Sequence, residues 1–104
     1  MPDIIKFPTG AQRSGDAETE RYDLITPIGL RRLAETCAEG AARHGERNWE
    51  LGMPASALLN HAMRHINLWM DGDDSENHLA HAAWNLFAAM HFEETNAELI
   101  DIPT

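Results

Sequence analysis

The chain has 104 residues, 43% of them hydrophobic, with 17 acidic side chains against 8 basic ones and a net charge of −9. That length makes one compact domain and not two, and the acidic balance argues against a nucleic-acid binder, which needs clustered Lys and Arg. The lone Cys37 excludes an internal disulfide framework, no apolar run approaches the ~20 residues that span a bilayer, and the N-terminus lacks a secretory pattern, so a cytoplasmic protein with no membrane partner is expected.

Residues 1–20 carry Pro2, Pro8, Gly10 and Gly15 without a sustained period. They read as an extended N-terminal arm, with Ile4, Ile5 and Phe7 as its candidate strand. Residues 21–104 form a single helical domain. Thr26 is a good N-cap and Pro27 suits the first helical position, so a first helix runs from about Pro27 to His44 and stops at Gly45. Leu30, Leu33, Ala34, Cys37, Ala38 and Ala41 make its apolar stripe, with Glu35 and Glu39 roughly opposite. Residues 45–53 are a compact loop carrying Trp49. The second helix starts at Pro54 and continues to about Met70, with Leu58, Leu59, Ala62, Met63, Ile66, Trp69 and Met70 on its buried side. Asp71-Gly72-Asp73-Asp74 is a turn, and Asp74 or Ser75 caps a third helix that runs to about Glu94. Leu79, Ala83, Leu86, Phe87 and Met90 are its main stripe. After Thr95 the tail is short, and Pro103 ends any order.

Three helices with short connections predict an all-α fold, an antiparallel helical bundle. So small a domain buries a limited share of its surface. The Ala-rich flank of the third helix (Ala82, Ala88, Ala89) permits close approach of another helix, expected from a second subunit. A second subunit would then complete the bundle by oligomerisation; tight packing within one chain is the other reading of the same flank.

Chemistry concentrates between Arg64 and Asn85. His78, His81 and Asn85 stand at i, i+3 and i+7, away from the Leu79/Leu86/Phe87 stripe, and His61, Arg64 and His65 point away from the apolar side of the preceding helix. The loop between adds Asp73, Asp74 and Glu76. Imidazole nitrogens with carboxylate oxygens suit Mn²⁺, Zn²⁺ or Fe²⁺, whereas Mg²⁺ prefers oxygen alone. Glu35 and Glu39 are a further hard-ligand pair, equally readable as a solvated helix face. Trp49 beside Asn48 suits stacking on a base while Asn48 reads its edge, and a buried loop anchor accounts for Trp49 as well. His44 and His91 read as surface histidines. No activated serine or phosphate-binding glycine loop is present, so water is the expected nucleophile of any hydrolysis.

The segments RYDL (21–24), AEGAARHGERNWELGMP (38–54), RH (64–65), GDD (72–74) and HLAHAAWN (78–85), taken in this order, resemble the dATP/dGTP diphosphohydrolase N-terminal domain family over roughly residues 21–95. The MazZ proteins of phages that replace adenine with 2-aminoadenine, which hydrolyse dGTP, belong to it. The family is similar to the MazG-like all-α nucleotide pyrophosphohydrolases, which hold divalent metal through ExxE and ExxD motifs on consecutive helices and usually work as dimers or tetramers, so the resemblance implies a homo-oligomer of that order. Aligned by Gly72-Asp73, the second motif falls on His78 and His81 and the first near His61 to His65, so imidazoles and Arg replace most of those carboxylates.

The resemblance implies a metal-dependent deoxynucleoside triphosphate pyrophosphohydrolase, acting most readily on dGTP in the host cytoplasm of a phage. Its implied metal set is His65, Asp73, Asp74, His78, His81, Glu35 and Glu39, with Mn²⁺ or Mg²⁺ as the ion. Glu76 and Arg64 are the catalytic candidates, Arg64 also holding phosphate. Asn48 and Trp49 would hold the base and Asn85 the sugar or a bound water, with substrate between helices of neighbouring subunits. The alternative is a non-enzymatic helical module whose histidines are structural or solvated.

Overall fold

The computed structural model describes residues 4–15 and 19–103, which leaves Pro2 of the expected arm outside the described residues. Strand β1 (Ile4–Lys6) pairs antiparallel with β2 (Gln12–Ser14) in the register Ile5 to Arg13, so the arm is a small hairpin. Gly10, at φ 93°, turns its connection. A 3₁₀ turn at Tyr22–Leu24 leads into helix α1 (Pro27–His44), and a second 3₁₀ turn at Asn48–Leu51 leads into α2 (Ala55–Met70) and then α3 (His78–Thr95).

Helix α1 has the expected limits. The Thr26 hydroxyl accepts from the Gly29 N–H at 3.2 Å, Pro27 opens the helix, and Gly45 ends it at φ 95°. Helix α2 begins one residue late, with Pro54 as its cap residue. Its free N–H groups are met from the far end of the chain. The Asp101 carboxylate accepts from the Ser56 N–H at 2.9 Å and the Ser56 hydroxyl at 2.6 Å. The tail after Thr95 is thus ordered, and Leu99 and Ile100 pack on the core. The Ser56 bonds hold the Asp101 carboxyl below the ordinary aspartate range. Its contribution is complete above about pH 4 and is lost as pH falls through the depressed folded value. Asp101→Ala should therefore lower Tm at neutral pH, with the gap to wild type closing in acid; an equal gap at every pH would count against this cap.

Helix α3 starts later than its sequence predicts. Asp73 Oδ1 accepts from the Ser75 N–H at 3.0 Å and the Ser75 hydroxyl at 2.6 Å, which holds residues 73–75 as a loop turn. Neither Asp74 nor Ser75 caps the helix; Asn77 precedes it, and its side-chain oxygen accepts from the Arg32 guanidinium of α1.

The larger departure is in which faces close. Helices α2 and α3 pack chiefly on each other, with α1 against α3. The buried line of α2 is Ala55, Leu58, Ala62 and His65, and that of α3 is His78, Ala82, Asn85, Ala88 and Phe92. Met63, Ile66, Trp69 and Met70, expected inside, are exposed, as are Leu79, Leu86, Phe87 and Met90. On α1, Leu30 and Cys37 are likewise exposed. Ala82 and Ala88 are covered within the chain, with Ala88 in a cluster with Leu58 of α2, so the small-residue flank meets α2. The α2–α3 interface consequently has two ends. One is apolar (Leu58, Ala88, Phe92, flanked by Trp49, Met53 and Trp84); the other holds buried imidazoles.

Candidate functional site

Position 65 continues the 55, 58, 62 line of α2, and position 78 begins the 78, 82, 85 line of α3, so the two helices bring His65 and His78 together. Their Nδ1 atoms lie 2.9 Å apart, with the residues 6% and 2% exposed. His78 Nε2–H donates to Asp73 Oδ1 at 2.8 Å. That bond fixes the tautomer and leaves the His78 Nδ1 lone pair facing His65. Asp73 Oδ1 already serves Ser75, and these bonds, Ser75's first and then that of His78, hold the Asp73 carboxyl far below the usual range. Asp73 thereby orients His78. Glu76 completes a group with His65 and His78, the three ligand atoms lying within 4.8 Å of one another.

This group fits a divalent ion. Two imidazole nitrogens and a carboxylate oxygen converge here within 4.8 Å of one another, donor types that Mn²⁺, Zn²⁺ and Fe²⁺ accept together. Burial, followed by the neighbouring His81, keeps the His65 imidazole below its usual pKa, with Glu76 pulling the other way. A neutral imidazole is the form that coordinates. His81 stands on the next turn of α3, its ring 4.8 Å from that of His65, and its Nε2 meets Glu39 of α1 at 3.2 Å.

His81 also faces outward into a cleft of about 430 Å³ between α1, residues 45–49 and the α2–α3 hairpin. Its apolar wall includes Trp49, Trp84 and Met53. Trp49 is held there by an unusual loop. Arg47 is left-handed at φ 58° and pairs with Glu50, and Gly52 at φ 106° ends the turn. The Trp49 ring packs edgewise on His91, Phe92 and Trp84, with centroids at 4.9, 6.0 and 6.5 Å. It is anchor and cleft wall at once. Asn48 and Asn85 supply amides. Asn85 Nδ2 donates to the His81 carbonyl at 2.8 Å, and Oδ1 has no partner among the described residues.

The cleft inverts the charge of the chain. Among its described lining residues Glu39 is the one carboxylate, of 17 in the sequence, whereas Arg43, Arg47, His44, His61 and His81 all line it. A lining so poor in carboxylate repels an anion less than the rest of this acidic chain does.

The fold therefore gathers His65, His78, Glu76 and, through hydrogen bonds, Asp73, His81 and Glu39; it places Asn48, Trp49 and Asn85 along the adjoining cleft. Glu35, Asp74 and Arg64 are exposed, outside both the ligand group and the cleft lining. Sequence reasoning missed Arg43, His44 and Trp84 as cleft residues. Their signal is the line Thr36, Gly40, Arg43 on α1, spaced by four and three and so one helix face. His91, read as a surface residue, is exposed yet supports Trp49.

No helix among the described residues is long and apolar enough to cross a membrane. No curated protein and no solved structure matches this sequence. A family profile does match, and it reaches past the quoted motifs at both ends, into the β-hairpin and the tail. With residues 9–102 matched, the chain belongs to the dATP/dGTP diphosphohydrolase N-terminal family.

Proposed function

We propose that the protein is a divalent-metal-dependent deoxynucleoside triphosphate pyrophosphohydrolase that converts dGTP and water into dGMP and pyrophosphate. The observation that carries this reading is the junction at His81, which touches both the buried ligand group and a carboxylate-poor cleft. A molecule that is flat and aromatic at one end and polyanionic at the other matches that succession of surfaces.

In this reading Trp49 and Trp84 receive the base, and the Asn48 amide lies beside its polar edge. The free Asn85 carbonyl oxygen accepts from a sugar hydroxyl or a water. Arg43 takes the phosphate-holding role expected of Arg64, because it lines the cleft and has no ion-pair partner among the described residues. His65, His78 and Glu76 would hold the ion, oriented by Asp73, with His81 alongside. An ion of the Mn²⁺ kind, which accepts imidazole nitrogen where Mg²⁺ prefers oxygen, would supply charge neutralisation and a more acidic water there. Glu76, exposed at the edge of the group, is the carboxylate placed to take the proton from attacking water. The water oxygen adds to the α-phosphorus, the bond from that phosphorus to the bridging oxygen breaks, and pyrophosphate leaves. In a phage-infected cell this activity would draw down dGTP.

Purified protein with Mn²⁺ and a panel of deoxynucleoside triphosphates should yield pyrophosphate and the monophosphate, fastest from dGTP. Release of phosphate or tripolyphosphate alone, or no turnover with any divalent ion, would falsify the proposal.

A further inference from the structure

Helix α1 carries two interior glycines, Gly29 and Gly40, although glycine weakens a helix because it gives up the most backbone freedom on folding. Gly29 has a local reason. A Cβ there would stand 2.6 Å from the Thr26 Cγ2, so the N-cap excludes a side chain. Gly40 has no reason of that kind. Its backbone is ordinary helix, and a Cβ would meet nothing within 4 Å. The fold has room for alanine at this position and would gain helix stability from it.

What Gly40 does have is a place in the lining of the cleft of about 430 Å³. Thr36 precedes it by four residues and Arg43 follows it by three, all on the one face of α1 that borders this space. A side chain at 40 would therefore project into the cleft. Asn85, only 7% exposed, lines the same cleft with an Oδ1 that has no partner among the described residues, which independently marks a place for a ligand. The wall at Gly40 also has a particular chemistry. Backbone N–H groups inside a helix are spent on the carbonyls four residues back, and the Thr36 hydroxyl is spent on the Arg32 carbonyl at 3.2 Å. Nothing on this stretch of wall donates to a phosphate. A flat, apolar ring face suits it, with Trp49 and Trp84 supplying the aromatic side of the cleft.

We propose that Gly40 is a specificity-determining residue of the cleft, its missing side chain being the room that a bicyclic purine base takes. The proposal rests on the nucleotide reading of the cleft given above. Alanine would set a methyl group where the ring passes, and a misfit of that size in a pocket is worth about 10-fold or more. A single pyrimidine ring, being smaller, would lose less. The same substitution firms up α1, so stability and affinity move in opposite directions. A glycine retained for packing would move them together.

Gly40→Ala should raise the apo Tm by about 2–8 °C. In titration calorimetry it should weaken dGMP binding by about 10-fold or more, with a smaller loss for dCMP. The Tm shift produced by Mn²⁺ should stay as in the wild type, because no member of the ligand group lies on α1. In the wild type, saturating dGMP should slow the alkylation of Cys37 by iodoacetamide, since this sole cysteine lines the cleft three residues before Gly40. Unchanged dGMP affinity in Gly40→Ala overturns the proposal, as does a fall in Tm or an equal loss for dGMP and dCMP. An alkylation rate indifferent to dGMP overturns it too, and that measurement needs no variant. A wild type that binds dGMP yet hydrolyses no triphosphate sinks the proposed reaction alone, since the two titrations still decide the role of Gly40. A wild type that binds neither monophosphate overturns that role as well.

Discussion

His78→Ala should weaken Mn²⁺ binding by more than about 100-fold, exceeding the 10–100-fold typical of losing an outer-shell partner. His78 is 2% exposed, sits 2.9 Å from His65 and is tied to Asp73, so its nitrogen is held at the proposed site by packing and by two partners. The substitution also leaves the His65 Nδ1 without its partner, a loss of about 1–3 kcal/mol for a buried polar group. Stability and ligation must therefore be read separately. Apo Tm should fall, and the upward Tm shift produced by Mn²⁺ should disappear at metal concentrations that shift the wild type. Asp73→Asn, which keeps His78 and weakens only its orientation, should fall within the 10–100-fold range. His91→Ala, whose ring touches Trp49 and no member of the ligand group, should leave metal affinity unchanged. A normal Mn²⁺ response in His78→Ala would remove the proposed metal centre altogether.

Acid should act on the same group in a defined direction. The His65 imidazole titrates below its ordinary value in the folded chain, so the unfolded chain binds its proton first. The stability linked to it is whole above about pH 6.5 and is lost as pH falls through the depressed folded value. Stability should thus begin to decline below about pH 6.5, and Mn²⁺, which requires neutral imidazoles, should move that decline to lower pH.

The limits of α1 and several members of the candidate site were legible from residue types alone. Thr26, Pro27 and Gly45 bound α1 because capping and termination are local chemistry, decided within one turn. The start of α3 was not legible in the same way. Asp73 offers its carboxylate both to a local turn and to His78, and only the packed hairpin shows that it does both with one oxygen. The choice of buried face misled for a clearer reason. On α2 the lines 55, 58, 62, 65 and 59, 63, 66, 70 both alternate steps of three and four, and ranking by hydrophobicity selects the second. The chain closes the first, ending it with an imidazole that pairs across the hairpin. Periodicity reveals that a helix has two seams without telling which of them its own chain fills. Asn48, Trp49 and Asn85 were singled out by residue type and all line the cleft, whereas Arg43 needed the knowledge of which side of α1 meets the hairpin.

Phe92→Ala should cost about 3–5 kcal/mol, the range for truncating a buried aromatic ring. That is a large part of the about 5–15 kcal/mol that holds a typical domain together. Phe92 is 3% exposed and forms the buried cluster with Leu58 and Ala88, far along the hairpin from the imidazoles. At about 4–8 °C per kcal/mol for a domain near this size, Tm should drop by at least about 12 °C. The ring also supports Trp49 at a centroid distance of 6.0 Å, so the indole emission should shift to the red as water reaches it. In the cold, where the variant remains folded, the two ends of the interface should separate in their response. Mn²⁺ affinity at the proposed centre of His65, His78 and Glu76 should stay near wild type, while the KM for dGTP in the proposed reaction should rise because the Trp49 wall has lost its backing. A parallel loss of metal and nucleotide affinity in folded Phe92→Ala would mean that the apolar end and the imidazole end act as one unit, and that the cleft takes its shape from the whole α2–α3 seam instead of from the loop that carries Trp49.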